Sequence, residues 1–422
     1  MKVFKFGGAS INSFERIKNL SWILQHHKEE KILIVISAMG KMTNTLEKIA
    51  EEYFEGKSDE ALLLFESVKS QHLSLVKYLF TFEWKKATND LEGLFAKTED
   101  LLKTHPKKEY NFYYDQIVSV GELLSSSLIS NYLREEKMPN SWVDVRKVIK
   151  TDSNYRDVKI DWELSELMIL KEVEPIFNET NFVITQGFIG SDGENNCTTL
   201  GREGSDYTAA VFAKILKAES ATIWKDVDGV MNGDPREFPD AIVLENLNYK
   251  EVIEMAYYGA QVIHPKTIKP LQNENIPLYV KSFINPQLPG TSITGEKTGK
   301  LPPIIVYKRD QALITLESID FTFVEGEPIN KLHRILDSLR LKPNLTQNTA
   351  ISLLICVDDI PEKTAQIALD ASDIFLVQIR KNLTLLTIRH HTPEIIEKLT
   401  KDKKIVLQQI TTETIQLLIS ND

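Results

Sequence analysis

A strand, a pair of glycines, a helix and a second strand follow one another within the first 37 residues. Lys2–Phe6 is a short apolar run, and Gly7-Gly8-Ala9-Ser10 follows it. Ile11, Phe14, Ile17, Leu20 and Ile23 then recur at helical spacing. Lys31–Ser37 is Ile, Leu and Val throughout its centre, the pattern of a strand buried on both faces. Two strands joined through a helix run parallel, because the crossover returns the chain to the same end of the sheet. The expectation is an α/β fold with an open, mostly parallel sheet sandwiched by helices.

The rest of the chain divides into two characters. Leu46–Leu102 is rich in Leu, Glu and Lys, without proline and with only two glycines, and predicts a helical insertion over about 46–110. Gln116–Arg134 and Asp206–Leu216 read as helices, and so does Tyr249–Tyr258. Trp142–Val145, Phe182–Gln186, Ser220–Lys225 and Leu278–Val280 read as strands. Pro286–Lys300 shifts to Pro, Gly, Thr and Ser and predicts a linker. Beyond it, strands over Ile304–Tyr307, Leu313–Leu316, Ile351–Val357, Ile374–Ile379, Leu383–Ile388, Ile405–Ile410 and Thr414–Ile419 are interleaved with three short helices. That order is one α+β ferredoxin-like unit and most of a second, which lacks its last strand. The division expected is therefore 1–295 and 303–422.

Charge and composition exclude several functions. Fifty Lys+Arg against sixty Asp+Glu leave a net charge of −10, the wrong sign for a nucleic-acid partner. No run reaches the ~18–20 apolar residues that span a bilayer, and no signal-peptide core opens the chain, so a soluble cytoplasmic protein without a membrane partner is expected. Two cysteines, Cys197 and Cys356, cannot staple a secreted fold or build a Cys-based zinc site.

Four stretches can carry chemistry. Lys5 at a strand end, before two glycines and a helix start, suits an anion: glycines let backbone N–H groups approach it and the lysine supplies charge. The bland alternative is a plain Gly-Gly turn. Gly201-Arg202-Glu203-Gly204-Ser205-Asp206 places an arginine in a glycine-flexed turn, suited to bidentate capture of a carboxylate; Ser205 or Asp206 as a simple helix cap is the rival. Trp224-Lys225-Asp226-Val227-Asp228-Gly229 and Gly233-Asp234-Pro235-Arg236 read as a loop at the carboxyl end of a strand, where open α/β sheets bind ligands, or as two ordinary Asx turns. Glu122 opens a helix, either as a dipole-matching residue or as an acceptor for a substrate ammonium.

KFGGAS, SAMGKMTN (Ser37–Asn44), GELLSS (Gly121–Ser126), TQGFIG (Thr185–Gly190), TTLGREGSDYTAA (Thr198–Ala210), DVDGV with DPR, and EMAYYGAQVIHP (Glu254–Pro265) resemble aspartate kinase, in that family's order over about 1–295. From about 303, ITLES (Ile314–Ser318) and Asn344–Asp358 more loosely resemble its ACT regulatory domains. The resemblance implies an amino acid kinase fold and the reaction of ATP with L-aspartate, giving ADP and 4-phospho-L-aspartate. This is the entry to lysine, threonine and methionine biosynthesis. It assigns Lys5 and Asp206 to catalysis. Thr43, Glu122, Arg202 and Ser205 would bind aspartate. Lys5, Gly7, Gly8, Ser10, Ser37, Lys225, Asp226, Met231, Asp234 and Arg236 would bind ATP, whose phosphates carry Mg²⁺ without direct protein ligands. Glu203 and Met231 depart from the usual Gly and Tyr, and Gln261 stands where some members have lysine. The tail would suit lysine or threonine as effector. Pro343–Thr349 lacks the expected acidic residue, however, which argues against strong feedback and for a structural, homodimer-forming tail. Other readings are a glutamate 5-kinase-like or uridylate kinase-like enzyme, or an inactive amino-acid sensor; the last would be marked by loss of Lys5, Asp206 or Arg202. With 422 residues, no fused homoserine dehydrogenase is expected.

Overall fold

A computed structural model describes residues 1–260, 263–320 and 322–420. They form two compact units. One comprises Met1–Val230, Val243–Ile253 and Gln261–Thr298; the other comprises Met231–Ile242, Glu254–Ala260 and Gly299–Asp422.

The first unit carries strands β1 (Lys2–Phe6), β2 (Ile32–Ile36), β3 (Asn140–Val143), β4 (Phe182–Gln186), β5 (Ile189–Ser191), β6 (Cys197–Thr199), β7 (Ser220–Lys225), β8 (Asn246–Asn248), β9 (Leu278–Ser282) and β10 (Thr291–Thr294). Its helices are α1 (Phe14–Gln25), α2 (Met42–Phe54), α3 (Ser58–Leu79), α4 (Trp84–Leu102), α5 (Tyr110–Val118), α6 (Val120–Glu135), α7 (Trp162–Glu172), α8 (Gly204–Ile215), α9 (Tyr249–Tyr257), whose last turn falls in the other unit, and α10 (Pro265–Asn273). Eight strands form one sheet in the order β3-β4-β2-β1-β7-β9-β10-β8. Every neighbouring pair is parallel except β9 and β10. All five residues of β2 are buried, as its unbroken apolar run requires of a central strand. α6 packs on β2, β3 and β4, and α8 packs on β1, β2 and β7.

The helical insertion is α2, α3 and α4. The helix expected over Gln116–Arg134 is two, because Ser119 closes α5 and opens α6. Within the expected linker, Thr291–Thr294 forms β10 with Thr291 and Ile293 buried; its other positions are polar, so composition alone reads it as loop. α10 escaped notice because it carries Pro265 in its first turn and Pro270 inside.

The second unit holds β11 (Ile304–Ser318), β12 (Leu345–Asn348), β13 (Ser352–Asp358), β14 (Phe375–Arg389), β15 (Ile405–Ile410) and β16 (Thr414–Ser420), with α11 (Glu327–Ser338), α12 (Pro361–Asp370) and α13 (Pro393–Thr400). Here sequence and structure differ. The six strands make one antiparallel sheet, β12-β13-β11-β14-β16-β15, rather than two patterns laid end to end. Ile304–Tyr307 and Leu313–Leu316 are halves of β11, and Ile374–Ile379 and Leu383–Ile388 fall in the same strand, β14, apart from Ile374. The polar Lys308-Arg309-Asp310 reads as a turn, yet the strand passes through it by shifting register between Lys308 and Leu313. Ile304–Lys308 pairs with Leu385–Arg389, so this half of β11 supplies the strand that the second pattern lacked.

Among the described residues, no helix is long and apolar enough to cross a membrane.

Candidate active site

The carboxyl ends of β1, β2, β4 and β7 meet at one rim of the first sheet, where loops of an open parallel sheet leave a crevice. A cavity of about 580 Å³ opens there. From the sequence-predicted set, Lys5, Gly8, Ser37, Thr43, Glu122, Arg202, Ser205, Asp206 and Lys225 all line it.

Lys5 projects from β1 to the start of α8, and its Nζ lies 2.5 Å from Asp206 Oδ1. Both side chains are nearly inaccessible to solvent. Burial by itself would raise the Asp206 carboxyl. The ammonium of Lys5, and then that of Lys225, outweigh it and hold the group below the usual carboxylate range. Asp206 is therefore an anion paired with Lys5.

Gly8 explains the second glycine of the turn. A Cβ there would stand 2.4 Å from the Ala38 carbonyl oxygen, so only glycine lets the loops after β1 and β2 close together. The Gly40 N–H donates to the Gly8 carbonyl across this contact, at 2.9 Å.

Glu122, on the first turn of α6, is buried at the cavity floor. Its Oε1 accepts the Ala38 N–H at 3.1 Å, and its Oε2 has no hydrogen-bond partner among the described residues. Burial without a cation pushes the carboxyl up to about 8, so it is largely protonated at neutral pH. Such a group is suited to meet a cation.

Arg202 lies in the turn before α8, and its guanidinium has no ion-pair partner among the described residues. Glu203 beside it adopts a left-handed backbone, φ 53°, where the family pattern has glycine. Its Oε2 accepts the His264 N–H at 2.8 Å, a bond that the usual glycine cannot make. Gln261 lies outside the described residues.

The other nominated residues are not among those that line this cavity. Gly7 caps the short turn Gly8–Ile11, and Ser10 is buried within it. Asp226 is exposed just beyond β7. Met231, Asp234 and Arg236 belong to the other unit, where the Arg236 Nη2 pairs with Asp234 Oδ2 at 2.6 Å and the Arg236 N–H donates to Asp234 Oδ1 at 2.9 Å. These contacts form an Asx turn, which is compatible with either reading of the stretch.

Sequence reasoning missed Glu47, Tyr114, Arg156 and Phe188, which also line the cavity. Glu47 accepts the Tyr114 hydroxyl at 2.5 Å, and the Arg156 guanidinium carbon lies over the Tyr114 ring, 4.2 Å from its centroid. Arg156 comes from an aperiodic polar stretch that gave no signal. Arg156, Phe188 and Glu203 share a left-handed backbone (φ 73°, 68° and 53°), a clustering of strain typical of functional sites.

Residues 1–282 match the sequence model of the amino acid kinase family. The chain belongs to that family. Its relatives include lysine-sensitive aspartokinase 3 of Escherichia coli (strain K12), 30% identical over 92% of this chain and 86% of that protein. Bifunctional aspartokinase/homoserine dehydrogenase 1 of Zea mays is 32% identical over 77% of this chain. The chain spans about a third of that protein (35%), as it does of the corresponding Arabidopsis thaliana enzyme 2 (32%). Among solved structures, E. coli aspartokinase III in complex with aspartate and ADP superposes with a TM-score of 0.83 at 26% identity, covering 100% of this amino acid kinase chain and 96% of that one. The same enzyme with lysine and aspartate gives the same figures.

Proposed function

We propose that this amino acid kinase is an aspartate kinase that transfers the γ-phosphoryl group of ATP to the side-chain carboxylate of L-aspartate. The observation that carries the reading is one cavity holding two kinds of unsatisfied group: the buried Glu122, with an orphaned oxygen, and the unpaired guanidinium of Arg202. An ammonium and a carboxylate on one small molecule satisfy both. The E. coli relative is named aspartokinase, and its structure holds aspartate and ADP.

In this reading Arg202 takes the α-carboxylate and Glu122 the α-ammonium, with Thr43 and Ser205 beside them. That leaves the side-chain carboxylate free to attack. One of its oxygens bonds to the γ-phosphorus as the bond to the β–γ bridging oxygen breaks, releasing ADP. A carboxylate nucleophile is already ionised, so no general base is required, which agrees with Asp206 being committed to Lys5. Lys5 neutralises charge on the transferring group, while Gly7, Gly8, Ser10 and Ser37 line the phosphate path, with Lys225 and Asp226 on the nucleotide side. Mg²⁺, when bound, neutralises charge on the nucleotide phosphates.

The setting that we propose is the cytoplasm and a homodimer formed through the second unit. Lysine or threonine is its effector class, weakly coupled given the tail's departures. The test is ATP- and Mg²⁺-dependent acyl phosphate formation trapped as the hydroxamate, with L-glutamate and UMP as rival substrates and lysine and threonine as inhibitors. Turnover confined to L-aspartate supports the reading; turnover only with a rival, or with none, overturns it.

A further inference from the structure

We propose that Arg156 is a second substrate-binding guanidinium of the acceptor pocket, holding one oxygen of the side-chain carboxylate while the other attacks. The inference rests on the aspartate kinase reading.

The cavity's charges are unevenly satisfied. Each of its four carboxylates already has a donor: Asp206 from Lys5, Glu47 from the Tyr114 hydroxyl, Glu203 from the His264 N–H and Glu122 from the Ala38 N–H. Arg156 reaches no carboxylate among the described residues. Its guanidinium rests on the Tyr114 ring and makes one long hydrogen bond, 3.5 Å, to Asn111 Oδ1. A contact with the ring face uses none of the guanidinium N–H groups, which stay available for a planar oxyanion.

The backbone holds this arginine in place. Its N–H donates to Asp115 Oδ2 at 3.1 Å, and the same fully buried carboxylate accepts the Thr199 N–H at 2.8 Å and hydroxyl at 2.7 Å. The Arg156 carbonyl oxygen lies 3.3 Å from where a Cβ on Gly201 would stand. The loop is thus fastened against the turn that carries Arg202, which favours a contact to the amino acid over one to the nucleotide. Arg156 also holds φ 73°, a conformation in which glycine is at ease and arginine is not. Two unpaired guanidiniums on adjoining segments match an amino acid with two carboxylates; one carboxylate would leave one of them unused.

The backbone angle makes a clean test possible. Arg156→Gly removes the guanidinium while relaxing the left-handed residue, so the variant should melt no lower than wild type. In the full-length protein we expect its KM for L-aspartate to rise at least tenfold, with kcat within threefold and the KM for ATP unchanged. Guanidine added to Arg156→Gly should recover part of the loss, and Arg156→Lys should lie between the two. An unchanged aspartate KM in a folded Arg156→Gly protein overturns the proposal, as does an effect confined to ATP, which would mark a phosphate ligand. A wild-type protein inactive on L-aspartate overturns the underlying function as well, so the two failures are distinguishable.

Discussion

Replacing Glu122 by Gln tests the ammonium site most directly. The substitution keeps the side chain's shape and an oxygen for the Ala38 N–H, and removes only the capacity to ionise. With the carboxyl pushed up to about 8, Glu122 is mostly protonated at pH 7. A substrate ammonium must therefore displace close to one proton. Ionising the group at pH 7 costs about 1.4 kcal/mol per pH unit below its pKa, here one unit. Removing one partner of a buried charge pair costs about 2–5 kcal/mol. The difference, roughly 1–4 kcal/mol, is a rise in aspartate KM of about fivefold to several hundredfold. Calorimetric titration with L-aspartate at pH 7, in two buffers of different ionisation enthalpy, should show close to one proton released per site in wild type and none from this group in Glu122→Gln. Aspartate affinity in wild type should climb with pH until about 8 and then level, while the variant lacks that climb. Folding stability carries the opposite sign. A carboxyl raised above its unfolded value stabilises the fold fully below about pH 4.5 and loses that contribution as pH rises through about 8, so Glu122→Gln should melt higher than wild type above pH 8. A variant with wild-type KM, or a wild type that releases no proton, would refute the reasoning.

Other consequences can be measured in the same assays. Asp206→Asn leaves the Lys5 ammonium buried without its counter-ion and should lower kcat by about 10²–10³ with a smaller change in KM, while Lys5→Ala should abolish turnover. Gly8→Ala forces a Cβ against the Ala38 carbonyl; the turn must open, and we expect a loss of about 1–3 kcal/mol in chemical denaturation together with a raised KM for ATP. His72 is fully buried in α3, bonded through Nδ1 to the Val68 carbonyl at 2.8 Å, and burial pushes it below its ordinary value. Its contribution to stability is present above about pH 6.5 and fades as pH falls below it, so His72→Gln should flatten the pH dependence of melting between pH 5 and 6.5, and an unchanged slope would exclude this histidine as its source.

Local signals in this chain were strong where neighbours in sequence decide the outcome. The unbroken apolar run of Ile32–Ile36 can only be a central strand, and Gly7-Gly8 between Phe6 and a helical repeat can only be a tight crossover turn. From those, the parallel sheet and the edge that carries the site follow. The charged residues of the cavity were legible for a similar reason. Lys5, Arg202 and Asp206 sit in glycine-flexed turns, and such turns bring backbone and charge together whatever lies elsewhere. Tertiary structure alone decided which of those charges are spent and which remain. Asp206 is committed to Lys5 because β1 and α8 are packed together, whereas Glu122 keeps an orphaned oxygen because α6 buries it away from every cation. Arg156 reached the site because a buried carboxylate in α5 ties its aperiodic loop to β6. The same holds for β11, whose Lys-Arg-Asp interruption signals a turn until pairing with β14 carries the strand through it. Periodicity records which side of the chain meets the interior. Which surfaces then meet each other depends on long-range packing, and no window of sequence contains both partners.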